Sequence, residues 1–240
     1  VMKKHFLAFS IVIVLGMPTV QGAETGKSTV LLKDPFDEDT SRDIGWDDLN
    51  SWKRVDDKSN GANDKTSVTP SKKLSYLRVK LSDPVNPDAE SCIVRFSARA
   101  RIIPPDQKGQ TRLEMNLGKA DGSYYTTSIT PEAVRIFLIV HPGNPEQKQI
   151  GNRSVSTNRM TEDEKYHTYT MEIRPKGIVT VYVDGEKLDE QELRDPGNPD
   201  TELTRLWVGF VDVGEDGGGG KNWFIDELTL NLCDQHFKLH

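Results

Sequence analysis

Apolar and polar residues alternate in short runs through most of the chain, and no segment after the first two dozen residues sustains a 3.6-residue apolar period. Leu77, Val79 and Leu81 are spaced by two, as are Leu113, Met115 and Leu117, Met171 and Ile173, and Val179, Val181 and Val183. A period of two sends successive side chains to opposite faces, so each run predicts a strand with one face on a core. A strand over 92–103 would turn Cys92, Val94, Phe96 and Ala98 inward, and one over 224–232 would do the same with Leu228, Leu230 and Leu232. The same alternation sends Arg99, Arg101, Arg112, Glu114, Thr170, Glu172 and Tyr182 outward. Trp52, Trp207 and Trp223 stand at strand starts in apolar company, where large rings are usually buried, and are expected in the core.

Short turn signals at Asp121-Gly122, Pro175-Lys176-Gly177 and Asp184-Gly185 imply antiparallel hairpins. The chain therefore reads as all-β, a two-sheet antiparallel sandwich. The polar stretches 56–73 and 142–164 read as exposed loops, with a hint of a helical turn at 161–165.

The first residues differ. Lys3 and Lys4 precede an apolar run from Phe6 to Leu15, followed by small residues up to Ala23. This is the layout of a secretory signal peptide, with cleavage after Gly22 or Ala23. The run is shorter than the ~20 residues a membrane span needs, so stable membrane insertion is not expected. The expected organisation is a signal peptide over 1–23, a single sandwich domain over 24–240, and an extracellular or periplasmic location. A net charge of −6 offers no electrostatic reason to expect nucleic acid.

Export bears on the two cysteines, Cys92 and Cys233. Antiparallel pairing of their strands would bring the thiols together where a disulfide can persist. Their phases differ, however, so two separately buried thiols are the alternative.

Three segments then carry a resemblance. They are Asp34-Pro35-Phe36-Asp37 followed by Trp46 and Trp52; Tyr166 to Ile173 with its tight turn into Val179 to Gly185; and Leu206-Trp207-Val208-Gly209-Phe210 with the closing strand Trp223 to Leu228. In order and spacing they resemble the concanavalin A-like lectin/glucanase superfamily, particularly its laminin G-like bacterial members. The resemblance implies a jelly roll and a glycan or polysaccharide partner. No cofactor is required. A structural calcium, held by oxygen ligands from the two ends of the domain, is implied through Asp37 and Asp226, and the chain has no Cys/His cluster for zinc.

The architecture hosts binding modules and enzymes alike, so function must come from the site. The E-x-D-x-x-E strand of jelly-roll glucanases does not occur in this sequence. Asp226 and Glu227 are adjacent and should point to opposite faces. Jelly-roll lyases that cleave uronate polymers are echoed only in part, by Arg112-Leu113-Glu114-Met115-Asn116 and by Val140-His141, which leaves Glu114 and His141 as the candidate catalytic residues. Hydrolases of oxidised disaccharides share the Tyr182-Val183-Asp184-Gly185 hairpin. Sugar binding needs aromatic faces and a few directed polar groups, and Arg112, Glu114, Tyr124, Tyr125 and Tyr182 are the candidates. The leading expectation is a secreted lectin-like domain; the alternatives are a glycoside hydrolase or polysaccharide lyase, or an adhesion or envelope-structural protein.

Overall fold

The computed structural model describes residues 28–47, 49–57, 66–71, 74–102, 111–130, 133–156, 165–198, 202–212 and 223–234. The predicted signal peptide lies outside them, as do residues 161–164 of the suspected helical turn. Apart from 3-10 turns at Leu49–Ser51 and Pro175–Gly177, fourteen strands and two short α-helices follow in order among the described residues. They are β1 (Ser28–Asp34), α1 (Glu38–Ile44), β2 (Trp52–Asp56), β3 (Thr66–Pro70), β4 (Leu74–Val85), α2 (Pro87–Glu90), β5 (Cys92–Ile102), β6 (Thr111–Lys119), β7 (Tyr124–Ile129), β8 (Ala133–Val140), β9 (Lys148–Ser156), β10 (Tyr166–Arg174), β11 (Ile178–Val183), β12 (Glu186–Glu192), β13 (Leu203–Asp212) and β14 (Trp223–Asp234). Among the described residues no helix is long and apolar enough to cross a membrane.

The strands form two antiparallel sheets. One runs β12-β11-β10-β5-β14-β3-β2, with β1 also paired to β14; the other runs β4-β13-β6-β7-β8-β9. The predicted alternation sets what lies between them. Cys92, Val94, Phe96, Ala98 and Ala100 of β5 face Leu113, Met115 and Leu117 of β6 and Leu206, Val208 and Phe210 of β13 in one buried cluster. Each fully buried Val, Leu, Phe or Met side chain among these contributes ~1.5–3 kcal/mol, and each alanine less. Ala98 lies across from Tyr169, a small residue beside a large fully buried ring. Trp52 and Trp223 flank Phe210 at ring separations of 5.4 and 5.3 Å, so these two tryptophans are core as expected.

The Asp34-to-Trp46 motif has a physical basis. The buried Asp34 carboxylate accepts hydrogen bonds from the Phe36 backbone at 2.6 Å, the Ser41 hydroxyl at 3.0 Å and the Trp46 indole N–H at 2.5 Å. Burial raises its pKa against the pull of these donors. The carboxylate therefore ties β1, α1 and the following turn into one unit.

Several expectations are corrected. The 56–73 stretch contains β3, and the 142–164 stretch contains β9. β9 is the edge of its sheet and largely exposed. An edge strand exposed on its faces needs no apolar alternation, which is why it read as a loop. β3 has a single apolar side chain, Val68, and it is buried opposite Ile225.

The two cysteines do not form a disulfide with each other. β5 and β14 do pair, but Cys233 lies across from Ile93 and Cys92 from Asp234. That one-residue offset sends the Cys92 side chain into the core and Cys233 to the other face, where its Sγ is 3.6 Å from Ser28 Oγ.

Strict alternation also lapses at Asp226, which sits at a bulge between Ile225 and Glu227. Its carboxylate pairs with Arg99, whose Cα partner is Glu227. The expected opposition of Asp226 and Glu227 is therefore suspended there.

Candidate functional site

The outward-facing residues of the six-stranded sheet line an open cleft of about 890 Å³. Strand register assembles it in rows. Tyr76, Gly209, Glu114 and Ser128 form one row across β4, β13, β6 and β7; Arg78, Trp207, Asn116 and Thr126 form the next; and Lys80, Arg205, Gly118 and Tyr124 form the third. The rows face outward because most of the alternating positions, Leu77 and Val79 in β4, Leu113, Met115 and Leu117 in β6, and Leu206 and Val208 in β13, are apolar and claim the core.

Trp207 is the residue that departs most from expectation. Leu206 and Val208 are fully buried on its two sides, so alternation turns the indole into the cleft, where it is half-buried. Its ring meets Tyr124 edge-on at 4.9 Å. Gly118 makes room for it: a Cβ at that position would stand 2.7 Å from the indole and 2.6 Å from the Arg205 side chain.

Glu114 is held from two directions. Arg112 Nε lies 2.7 Å from one carboxylate oxygen and Tyr76 donates its hydroxyl to the other at 2.7 Å. Burial, and then the charge of Glu114, raise the pKa of both Tyr76 and Tyr124. Both are therefore neutral hydroxyls at physiological pH. Beside them, Asn116 and Thr126 are buried, and Asn116 Oδ1 and Nδ2 and Thr126 Oγ1 have no hydrogen-bond partner among the described residues.

The cleft thus gathers Glu114 and Tyr124 of the expected binding residues, with Arg112 beside them on the Glu114 carboxylate. It does not gather the other two. Tyr125 points the opposite way from Tyr124 and is 1% exposed in the core. Tyr182 lies on the outer face of the other sheet, donating to Glu172 Oε2 at 3.0 Å. His141 follows β8 with a positive φ of 50°, and its neighbour Pro142 lines the cleft. Tyr76, Arg78, Lys80, Arg205 and Trp207 line the cleft without standing among the expected binding residues. Their signal was present, since Leu77, Val79 and Leu81, and Leu206 and Val208, fix which side chains face out.

The expected calcium pair does not fit a metal site as it stands. Asp37 accepts from the backbone and hydroxyl of Thr40 at the start of α1, and the buried Asp226 carboxylate is engaged by Arg99. Among the described residues no three His, Cys, Asp or Glu side chains gather as a metal site would require. Of a second acidic group in the sequence, Asp212, Glu215 and Asp216, the first ends β13 and the other two lie outside the described residues.

No protein-family model and no curated protein sequence matches the chain. Solved structures do. The Bacteroides ovatus mixed linkage glucan GH16, in complex with its G4G4G3G product, aligns with a TM-score of 0.55 and 11% identity, over 83% of this chain and 99% of that one. Beta-agarase A in complex with oligoagarose aligns with a TM-score of 0.55 and 9% identity, over 88% and 94%. The CBM2 module of the evolved Dit of Lactobacillus casei BL23 phage J-1 aligns with a TM-score of 0.53 and 8% identity, over 88% and 99%. The fold is a concanavalin A-like jelly-roll sandwich.

Proposed function

We propose that the protein is an exported carbohydrate-binding domain that holds a stretch of glycan across the open face of its six-stranded sheet. The observation that carries this reading is the cleft built around Trp207 and Tyr124. A pyranose ring presents an apolar C–H face to an aromatic ring and hydroxyls to directed polar groups, and the cleft offers both. Tyr76 and Tyr124 supply neutral hydroxyls, and Glu114 a fixed acceptor. The solved structures of similar fold, a mixed linkage glucan GH16, an agarase and a CBM2 module, agree with a glycan-related role. Export rests on the leader from Lys3 to Ala23.

Binding is favoured over hydrolysis because general acid–base cleavage uses two carboxyl groups facing each other across the bond. The cleft is lined by two carboxylates, Asp47 and Glu114. Glu114 is engaged by Arg112 and Tyr76, and Asp47 is exposed where its backbone bridges the edge strand β4 at Arg78.

A glycan array followed by calorimetric titration tests the proposal. The expected result is binding to at least one polysaccharide, lost in Trp207→Ala, with no new reducing ends. Failure to bind any glycan would overturn it. Release of reducing ends or unsaturated uronates, abolished by Glu114→Gln, would replace it with the enzymatic reading.

A further inference from the structure

The cleft is asymmetric in charge. On its β4–β13 side, Arg78 and Lys80 project from alternate positions of one strand, about 7 Å apart along it. Arg205 stands directly opposite Lys80 on the neighbouring strand. All three are exposed, and among the described residues none has a carboxylate within ion-pairing distance. Arg78 lies over the Tyr76 ring, 5.4 Å from its centroid. Against these three cations the cleft sets Asp47, because Glu114 is already neutralised by Arg112.

Like charges directly opposite each other on adjacent strands destabilise a sheet. The Lys80–Arg205 pair is of this kind, in a chain whose net charge is −6. Carboxylates are plentiful elsewhere and form ion pairs on the other sheet, so the arrangement is local. It is what a site would keep if an anion bridged the cations in the bound state. The buried Asn116 amide in the adjoining row adds an unpartnered donor and acceptor to the same face.

We infer that the glycan held in this cleft is an acidic polysaccharide, its carboxylate or sulfate groups lying over Arg78, Lys80 and Arg205 while a sugar ring stacks on Trp207. This rests on the carbohydrate-binding reading above. The cations separate an acidic glycan from a neutral one and the indole separates a glycan from another polyanion, so the two together define the ligand.

The test titrates the full chain with polygalacturonate, its methyl ester, chondroitin sulfate, laminarin and duplex DNA. Tight binding to polygalacturonate or chondroitin sulfate is expected; binding to both reports a carboxylate ligand, which the two polymers share, and binding to chondroitin sulfate without polygalacturonate reports the sulfate. The methyl ester and laminarin should bind about tenfold or more weakly. Binding to the acidic polymer should weaken steeply between about 20 and about 300 mM salt. Combined Arg78→Gln, Lys80→Gln and Arg205→Gln should abolish the preference while leaving the melting temperature unchanged or raised, which separates lost binding from lost folding.

Equal affinity for polygalacturonate and its ester, binding to laminarin alone, or equal binding to DNA would overturn the inference. The first two outcomes would leave the carbohydrate-binding reading standing. Failure of every glycan would remove both.

Discussion

The two outer faces of the sandwich are built from the same alternation and end in opposite conditions. On the eight-stranded sheet most of the outward polar side chains of β5, β10, β11 and β12 pair with one another. Arg95 donates to Glu172 through Nε and Nη2 at 2.8 and 2.5 Å, and Tyr182 reaches the other oxygen of that carboxylate. Ser97 meets Thr170 at 2.8 Å, and Arg174, Lys187 and Thr180 converge on Glu190. On the six-stranded sheet an indole, two tyrosines and three cations face a cleft with Asn116 unpartnered beside them. A face whose groups are already paired gains little from a ligand, because each new contact must replace an existing one. A face left incomplete has its interactions available.

The largest expected effect breaks that comparison if it fails. Trp207→Ala should weaken glycan binding by about thirtyfold or more, in keeping with the ~2 kcal/mol or greater cost of truncating a central aromatic anchor. Tyr182→Ala should leave binding unchanged. Titration of both variants against the same polysaccharide decides it, and the reverse result would move the site to the other sheet.

Next comes stability. Glu172→Gln on the paired face should cost about 1–2 kcal/mol in urea unfolding, because Arg95 and Tyr182 both lose a charged acceptor in a part-buried setting. Arg78→Gln on the cleft face should cost nothing measurable.

A smaller effect is expected at Asn116. Asn116→Leu keeps the volume and removes two unpartnered polar atoms, so urea unfolding should show unchanged stability or a gain of about 1 kcal/mol. A clear loss would mean that the amide has a structural partner.

The smallest concerns pH. The bond from Lys187, followed by those from Thr180 and Arg174, lowers the Glu190 pKa to about 2. A depressed carboxylate pKa contributes stability above the unfolded value near 4.5 that is lost as pH falls toward 2. The group is largely solvent-exposed, so its share is about 0.5 kcal/mol or less. Acid unfolding of Glu190→Gln should lack that part of the decline.

The sheet interiors were legible because each apolar position constrains its neighbours. Leu113, Met115 and Leu117 put Glu114 and Asn116 on the outer face with no further information. The same logic applied to Trp207 between Leu206 and Val208, but the general tendency of tryptophan to be buried pointed the other way, and alternation prevailed.

Tyr182 fails for a different reason. Alternation states that a side chain faces out of its own sheet, and only the strand order states which sheet that is. β3 and β9 were illegible because a polar edge or near-edge strand carries little apolar signal of its own. The Cys92–Cys233 question turned on a one-residue register, and the phase difference that opposed a disulfide is the one the pairing displays.

Gly118 carries a consequence for descent. One hydrogen in place of a methyl group is what lets the indole and the Arg205 stem lie against β6. Any lineage that acquired alanine there by a single nucleotide change would retain the sandwich and lose the seat of its platform. The position is therefore a point at which one substitution would remodel the cleft while the strand pairing that makes the fold stays in place.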